Sequence, residues 1–306
     1  MKLIESSVTK INQEPDINGI FKQIELAGRT CYKSEANITD TSAENFVERM
    51  INSKHTAMLE HGTLYLDIPI GQLGDDNEYM WKSSIIQIFK KNPYSRVNKY
   101  RKLHRIDDKT MTSIYHYAIT TNYRVFIEQI PWEELGPMRY SKIEGYELGL
   151  NKDYILSFMC EPNEHHEKRI TFKFITDRGV SHELVRHRVM SFAQESTRYC
   201  NYSKAKFGKE LTFIIPTWFN NSSIYIQEKF VEICKECEKA YFDGLENGMK
   251  PEQIRQILPM AIKTEIVVTG FKSDWDYFLK LRHEGITGNP HPDIKKLANE
   301  MKILYI

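Results

Sequence analysis

The sequence lacks any apolar run approaching the roughly 20 residues needed to cross a bilayer. Its start, MKLIESSVTKINQEPD, has no apolar core of a secretory signal. The five cysteines are an odd number spread along a long chain, so they do not indicate a disulfide framework. The usual signs of export and membrane insertion are therefore missing, which predicts a protein of the reducing cytoplasm.

A strong net charge is lacking too. The 42 Lys and Arg residues nearly balance the 41 Asp and Glu residues, which gives a formal net charge of +1. No overall field favours nucleic acid or an anionic membrane, so any recognition of phosphate must be local. Hydrophobic residues at 41% and aromatic residues at 12% can still supply a core, and they predict a globular protein.

Several common chemical motifs are missing. Neither G-x-G-x-x-G nor G-x-x-x-x-G-K-[ST] occurs, and there is no G-x-S-x-G elbow. His182 and His187 are five positions apart, whereas a zinc protease helix needs its two histidines four apart. Cys234 and Cys237 form a C-x-x-C pair without a second pair, and a zinc site needs about four ligands. We therefore expect no metal.

What the chain does have is a dense polar segment, RHRVMSFAQESTRY, at residues 186–199. It contains Arg186, Arg188 and Arg198, and guanidinium groups bind phosphate in bidentate fashion. Its few apolar residues are scattered, so it does not serve mainly to fill a core. An anionic ligand is the first interpretation, and an ordinary solvated face is the alternative.

Two further arginines lie in apolar helical runs. Arg255 in PEQIRQILP is either a ligand contact or part of an exposed face. Arg282 in DYFLKLRHEG ends a helix, where a cation also complements the negative end of the helix dipole. The residues alone leave both alternatives open.

Hydrophobic periodicity predicts an α+β fold without a repeating βαβ order. The predicted helices are 18–32, 42–54, about 224–247, 251–258, about 273–284 and 291–304, with shorter ones at 78–91 and 120–130. The predicted strands are 64–70, 170–175, 211–219 and 263–271. Ser181 is the predicted cap of a short helix after the second of these strands. Residues 71–167 are expected to be an irregular elaboration within a single domain.

Four blocks of the chain resemble the flavin-dependent thymidylate synthases. The family's R-H-R-x-x-S signature is matched at residues 186–191, and its S-x-R-Y extension at residues 196–199. HTAMLEH, SHELVRHR, PEQIRQILP and FLKLR stand around them in the family's order. The resemblance covers roughly residues 15–70 and 168–305. It implies one domain over 1–306, with a central antiparallel-type sheet, flanking helices and an atypical insertion at about 71–167.

The resemblance implies two bound nucleotides. It assigns the cofactor FAD to His55, Ala57, Arg186, His187, Arg188, Gln194 and Tyr277. It assigns the substrate dUMP to Glu183, Arg186, Gln194, Glu195, Ser196, Thr197, Arg198, Arg255 and Arg282. Guanidinium groups suit the phosphates of both molecules, which agrees with the anionic ligand expected from the polar segment.

The resemblance also implies a reaction, the conversion of dUMP to dTMP by a methyltransferase. The one-carbon unit comes from 5,10-methylenetetrahydrofolate, and the hydride comes from FAD that NADPH has reduced. Arg282 and Ser196 are the implied catalytic residues, because a cation against the pyrimidine stabilises negative charge in the ring. Members of the family work as homotetramers whose sites are assembled from several subunits.

Some positions depart from the family pattern. Ala193 stands where Asn or Ser is common, and Gln194 and Glu195 stand where Glu and Gln are frequent. Glu183 replaces a common Gln, and its carboxylate would repel a phosphate unless it faces an arginine. An alternative is therefore a catalytically inert relative that binds nucleotide or flavin, although the retained Arg282 argues against it.

An RNA-binding module is a third interpretation of the same arginines. Phe192, Tyr199 and Tyr202 lie near them in the sequence and could stack on bases. The balanced charge and the single basic cluster disfavour this interpretation, and we expect neither a nucleic acid nor a membrane as partner.

Overall fold

The structure is a computed structural model that describes residues 1–70, 76–105, 111–132, 138–139, 149–150 and 152–305. Its α-helices are α1 (Ile17–Tyr32), α2 (Ser42–Asn52), α3 (Asp76–Lys91), α4 (Lys152–Leu156), α5 (Arg178–Leu184), α6 (Ile224–Glu246), α7 (Pro251–Ile254), α8 (Lys272–Leu279) and α9 (Pro292–Tyr305). Its strands are β1 (Lys2–Ile4), β2 (Ser7–Ile11), β3 (Thr63–Ile70), β4 (Arg96–Arg105), β5 (Met111–Asn122), β6 (Met138–Arg139), β7 (Gly149–Leu150), β8 (Arg169–Asp177), β9 (Ser191–Gln194), β10 (Thr212–Ile214) and β11 (Lys263–Phe271). Short 3-10 turns include Thr56–His61 and Arg255–Ile257, and π-helical turns are Val125–Gln129 and Lys280–Glu284.

The chain divides into two compact units. Unit 1 consists of Met1–Asn12, Leu26–Ile38 and Ile170–Ile306, and unit 2 consists of Gln13–Glu25 and Thr39–Arg169. Each unit has its own buried apolar residues, so each is described by itself.

Unit 1 contains a four-stranded sheet in the order β2, β8, β11, β9. The pairs β2 with β8 and β11 with β9 are antiparallel, and a separate parallel pair joins β1 to β10. Strand β11, KTEIVVTGF, is almost wholly buried, as its β-branched run suggests. On α9, Ile294, Leu297, Ala298 and Met301 share one helix face at spacings of three and four, and all are fully buried.

The start of α5 differs from the prediction. Asp177, not Ser181, caps this helix, and its carboxylate accepts a hydrogen bond from the backbone N–H of Val180 at 2.8 Å. Ser181 lies within the helix, where its hydroxyl donates to the carbonyl of Arg178 at 2.9 Å. Asp caps helices as well as Ser does, and the carboxylate stood four residues earlier in the sequence.

Unit 2 contains a three-stranded antiparallel sheet in the order β3, β5, β4. Trp81, Ile85 and Phe89 stand four residues apart on α3, so they lie on one face of the helix, and each is fully buried. The expected irregular structure over 71–167 is wrong for residues 96–105 and 111–122, which form strands β4 and β5. Strand β4, RVNKYRKLHR, is a largely exposed edge strand, and a charged edge has no apolar alternation to reveal it.

The α+β class predicted from the sequence is confirmed. The predicted helices at 18–32, 42–54, 78–91 and 224–247 and the strand at 263–271 are confirmed within a few residues of their ends. The helix predicted at 120–130 is wrong at its start, because Thr120–Asn122 finish strand β5. In the part of the chain that the structure describes, no helix is both long and apolar enough to cross a membrane.

Candidate functional site

The polar segment runs from the end of α5 through strand β9 into a turn. Strand β9 lies at the edge of the unit 1 sheet, where Gln194 is the partner of Ile266 and Ser191 is the partner of Thr269. A strand at this place was not predicted, because the run SFAQ is too short to show a period. The sheet edge fixes the backbone from which residues 195–198 emerge.

A cavity of about 480 Å³ opens at the end of β9, a volume in the range of small-molecule sites. Its polar lining consists of Arg178, His182, Gln194, Glu195, Ser196, Thr197, Arg255 and Gln256. Its apolar lining consists of Leu258, Pro259, Met260 and Ile262. The structure thus brings together five of the residues assigned to dUMP, namely Gln194, Glu195, Ser196, Thr197 and Arg255.

Gln194 and Ser196 are held in place by their neighbours. The amide nitrogen of Gln194 donates to the hydroxyls of Ser181 at 2.8 Å and Thr264 at 3.1 Å. The backbone N–H of Ser196 donates to the carbonyl of Cys31 at 3.0 Å. The hydroxyl of Ser196 accepts from the backbone N–H of Arg198 at 3.3 Å. This hydroxyl and the amide oxygen of Gln194 each have capacity to accept further hydrogen bonds.

Glu195 is buried behind the same wall. One carboxylate oxygen accepts from the hydroxyl of Tyr202 at 3.0 Å, and the other accepts from Lys263 at 2.8 Å. The backbone N–H of Glu195 donates to the carbonyl of Glu265 at 2.8 Å, and the backbone carbonyl accepts from Arg178 at 3.1 Å. Both the side chain and the main chain of Glu195 therefore hold the cavity wall in place.

Arg282 belongs to a second group of residues in unit 1. Its terminal nitrogen Nη1 forms an ion pair with Glu183 Oε2 at 2.6 Å, and its Nε donates to His187 Nε2 at 3.2 Å. The other terminal nitrogen lies 3.5 Å from the backbone carbonyl of Glu183. The carboxylate at position 183 thus faces an arginine, which is the condition under which it would not repel a phosphate.

His187 is buried against the ring of Phe278, with the ring centroids 4.9 Å apart. Burial lowers the pKa of His187 from 6.5 to about 4, and the positive charge of Arg282 adds to this effect. The imidazole is therefore neutral at pH 7. Its Nε2 accepts from Arg282, so its Nδ1 carries the proton.

The low pKa of His187 predicts a pH dependence of stability. Between pH 6.5 and 4 the unfolded chain binds a proton that the folded chain does not, so this histidine lowers the free energy of unfolding as the pH falls through that window. The side chain of the variant His187→Gln can still accept a hydrogen bond from Arg282. Its free energy of unfolding should therefore fall less steeply between pH 6.5 and 4. Urea unfolding at a series of pH values measures the slope, with the exposed His291→Gln as control. An unchanged slope in His187→Gln would contradict the assignment.

The remaining arginines of the polar segment point to solvent. Arg186 and Arg188 are exposed, and among the described residues no ion pair includes either of them. Arg198 is also exposed and pairs with Glu252 at 3.1 Å. Neither these three residues nor Tyr277, which is exposed on α8, line the cavity.

His55 and Ala57, the two other residues assigned to FAD, lie in unit 2. His55 precedes the 3-10 turn Thr56–His61, Ala57 is its second residue, and both are exposed.

Two further residues line the cavity: Arg178, which the sequence did not single out, and His182, which was considered only as a zinc ligand. Arg178 directly follows strand β8, and His182 is on the helix that leads into the polar segment. Their position between a predicted strand and the signature was the one feature of the sequence that could have indicated a place in the site. Within the described ranges, no group of three or more His, Cys, Asp or Glu side chains could hold a metal ion.

Comparison with known proteins identifies the family. The family model described as thymidylate synthase complementing protein matches residues 117–304. The chain is 31% identical over 154 residues to the flavin-dependent thymidylate synthase of Pyrococcus abyssi, which is 49% of this chain and 61% of that protein. It is 31% identical over 153 residues to the enzyme of the same name from Thermococcus onnurineus, covering 49% and 60%.

A solved structure gives a more distant match. The crystal structure of a UMP/dUMP methylase from Streptomyces cacaoi, bound with 5-Br dUMP, is 13% identical, with a TM-score of 0.42 over 100% of this chain and 92% of that chain. At this distance, no residue role follows from the match.

The family match covers more than half of the chain, so the chain belongs to the thymidylate synthase complementing protein family. The resemblance to flavin-dependent thymidylate synthases inferred from the signature is thereby confirmed. The chain spans about three fifths of the length of the relatives it matches.

Proposed function

We propose that this protein is a flavin-dependent thymidylate synthase, a methyltransferase that converts dUMP to dTMP. The observation that supports this most is the cavity at the end of β9, where Gln194, Ser196 and Thr197 lie with Arg255. Amide and hydroxyl groups suit the hydrogen-bonding edge of a pyrimidine and a sugar, and a guanidinium suits a phosphate. The alignment with relatives of that name supports the same activity.

The substrate site has two parts in this proposal. Gln194, Glu195, Ser196, Thr197 and Arg255 form the cavity part, in which Glu195 acts by holding the wall. Glu183, Arg186, Arg198 and Arg282 form the other part. We also propose, as the family resemblance implies, that the sites are assembled from several subunits of a homotetramer.

The FAD site is proposed for His55, Ala57, Arg186, His187, Arg188, Gln194 and Tyr277, as the family resemblance implies. The donor chemistry fits this cofactor, because Arg186 and Arg188 are exposed cations that no described carboxylate neutralises, and a diphosphate needs such partners. His187 is neutral, so it would contribute a hydrogen bond and not a charge. When bound and reduced by NADPH, the flavin supplies the hydride that completes a methyl group whose carbon comes from 5,10-methylenetetrahydrofolate.

Arg282 is the residue to which we assign the stabilisation of charge on the substrate. Glu183 and His187 hold its guanidinium at three of its N–H groups, which leaves one N–H on each terminal nitrogen for a ligand. These two N–H groups can donate to acceptor atoms on a pyrimidine. A cation in this place stabilises the negative charge that develops when carbon 5 becomes nucleophilic. Ser196 contributes its hydroxyl on the cavity side.

The architecture and setting are also part of the proposal. We propose that the four-stranded sheet of unit 1 is the central sheet of the family's fold, and that the chain is one domain with an insertion at about 71–167. The family match begins at residue 117, so the last part of this segment lies within it. The five cysteines are free thiols, which suits a reducing compartment, and we propose a cytoplasmic location.

Two measurements on the purified protein test the function. We expect visible flavin absorbance, either as purified or after addition of FAD. We also expect release of tritium from carbon 5 of labelled dUMP that depends on both NADPH and methylenetetrahydrofolate. A protein that binds FAD and dUMP without tritium release would be the inert relative, and a protein that binds no flavin would contradict the proposal.

A further inference from the structure

Three titratable side chains form a continuous row of hydrogen bonds on the sheet of unit 2. Asp67 lies on β3, His116 on β5 and His104 on the edge strand β4. His116 Nδ1 lies 2.9 Å from Asp67 Oδ1, and His116 Nε2 lies 2.6 Å from His104 Nε2. The imidazole planes are within 10° of parallel and their centroids are 4.8 Å apart, further than the two nitrogens, so the rings meet at their nitrogen edges. None of the three residues is assigned to the proposed flavin or substrate site.

The carboxylate of Asp67 fixes the proton on one nitrogen of His116. Its other oxygen accepts from the hydroxyl of Tyr100 at 2.8 Å and lies 3.5 Å from Lys102 Nζ. Burial raises the pKa of Asp67, but the hydrogen bonds from Tyr100 and His116 and the charge of Lys102 outweigh burial and lower the pKa below its ordinary value. An ionised carboxylate can only accept, so His116 Nδ1 carries a proton.

His116 is neutral at pH 7. Its side chain is 4% exposed, and this burial lowers its pKa below 6.5. The attraction of Asp67 acts in the opposite direction, and positive charge on His104 and Lys102 lowers the pKa further. Since the single proton of the neutral ring is on Nδ1, His116 Nε2 accepts and His104 Nε2 donates. One proton therefore lies between the two facing nitrogens.

This contact tolerates one added proton but not two. When either ring alone becomes charged, the facing nitrogen of the other ring can still accept, through the tautomer that carries its proton on Nδ1. When both rings are charged, two N–H groups and two positive charges face each other across 2.6 Å, and Lys102 adds a third charge nearby. The contact then has no acceptor and must open.

Other titratable groups lie around the pair, on β4 and in the segment that precedes β8. They are Tyr100, Lys102, Cys160, His165 and His166. The thiol of Cys160 is neutral, because burial raises its pKa to about 11. Burial lowers the pKa of His166, and the ring of His165 stacks on Tyr100 with the centroids 3.8 Å apart. Each histidine must therefore be followed separately in a titration.

The pair is placed where strand β4 has little else to hold it. Within the described residues β4 pairs with β5 alone, and near its end His104 is opposite Thr112. Leu103 and Met111, the large apolar side chains of this end, are 67% and 55% exposed. A strand end with few buried apolar contacts opens locally at low cost, so one side-chain contact changes its local stability measurably.

We propose that the His104–His116 pair is a pH-sensitive switch at the outer end of the β4–β5 hairpin, residues 102–105 and 111–114. The pair holds this end closed at neutral pH, and it releases the end once both imidazoles are charged. Both histidines lie in the segment 71–167, to which the family resemblance assigns no site residue. The switch does not depend on the proposed function.

Amide hydrogen exchange of the full-length protein tests the switch. A histidine NMR titration first gives the midpoint at which His116 takes up its proton. The opened end takes up this proton at the ordinary pKa of 6.5 and the closed pair does not. Protection of the outer end should therefore fall by about tenfold for each pH unit from 6.5 down to the midpoint, after correction for the intrinsic pH dependence of exchange. Amides at the inner end, residues 96–99 and 117–120, should keep their protection.

Two variants of His104 separate the contact from its pH dependence. The amide of His104→Gln can donate to neutral His116 or, turned over, accept from charged His116, so its protection should change by less than about twofold over the same pH range. The midpoint of His116 should rise in this variant, because the charge of His104 is gone. His104→Ala removes the contact, so its outer end should exchange fast already at pH 7. The control His291→Gln removes an exposed histidine of unit 1 and should behave as the wild type.

Three results would overturn the proposal. The first is constant protection of the outer end from pH 7 down to the midpoint of His116. The second is an equal fall in the wild type and in His104→Gln, because the pH dependence would then come from another group. The third is a His116 that takes up its proton only when unit 1 loses protection as well, because the switch would then never open in the folded protein.

Discussion

Replacing Arg282 with alanine should lower kcat/KM for tritium release from dUMP by about 10²–10³-fold, because it removes a preorganised donor to developing negative charge. The guanidinium is held by Glu183 at 2.6 Å and by His187 at 3.2 Å, so it is already oriented before a ligand binds. Alanine removes the charge, the two remaining N–H groups and the partner of Glu183 together.

Two variants separate charge from geometry at this position. Arg282→Lys keeps a positive charge but cannot donate to Glu183, His187 and a ligand at the same time, so it should also lose most activity. Glu183→Gln keeps a hydrogen-bond acceptor for Arg282 and removes the ion pair. It should therefore lose less activity than Arg282→Ala or Arg282→Lys. Flavin absorbance checks the cofactor site in each variant, and Arg49→Ala, an exposed arginine of unit 2, is the control. Wild-type turnover in Arg282→Ala would remove Arg282 from its proposed role.

The sequence predicted those elements whose burial is one-sided. Helix α3 places Trp81, Ile85 and Phe89 on one face, and the buried residues of α9 are also three or four positions apart. The helical period of the apolar residues is therefore visible in the sequence. Strand β4 has no buried face of its own to alternate with solvent. It pairs with β5 through backbone hydrogen bonds, and these do not require any particular pattern of side chains.

The sequence predicted individual residues of the candidate site but not which of them lie together. The signature gave the polar side chains of the segment, yet α5 directs His182 to the cavity and Glu183 to Arg282, although the two are adjacent in sequence. Arg178 was missed because a single arginine at the end of a strand has no motif. Such a role depends on which residues the sheet brings near it, here Glu195 and Arg255.

A network of buried charges supports the cavity wall from behind. Glu265 forms ion pairs with Lys33 at 2.7 Å, Lys173 at 2.5 Å and Lys263 at 2.8 Å, and its carboxylate is 10% exposed. Burial raises the pKa of Glu265, but the attraction of Lys263 and the hydrogen bonds from the three lysines outweigh it and hold the pKa well below its usual range. The carboxylate is therefore charged at any physiological pH.

Glu265→Gln should lower the free energy of unfolding at pH 7 by about 3–5 kcal/mol, because it leaves three partly buried lysines without their shared carboxylate. The loss should shrink as the pH falls below the ordinary carboxyl value of 4.5, since the unfolded wild-type chain then takes up a proton that the folded chain does not. Urea unfolding at pH 7 and at pH 3.5 measures both effects. The control is Glu232→Gln, which breaks an exposed pair with Lys229 and should change little.

The Glu265→Gln substitution should also affect the proposed substrate site. The carbonyl of Glu265 accepts from the backbone of Glu195, and Lys263 bridges the two carboxylates, so a displaced Lys263 unbalances the buried charge of Glu195 next to Ser196. We expect the affinity for dUMP to fall together with the stability in Glu265→Gln, and to stay unchanged in Glu232→Gln. A fall of less than about 1 kcal/mol in the free energy of unfolding of Glu265→Gln would mean that the three lysines form other ion pairs. The cavity wall would then not depend on this network.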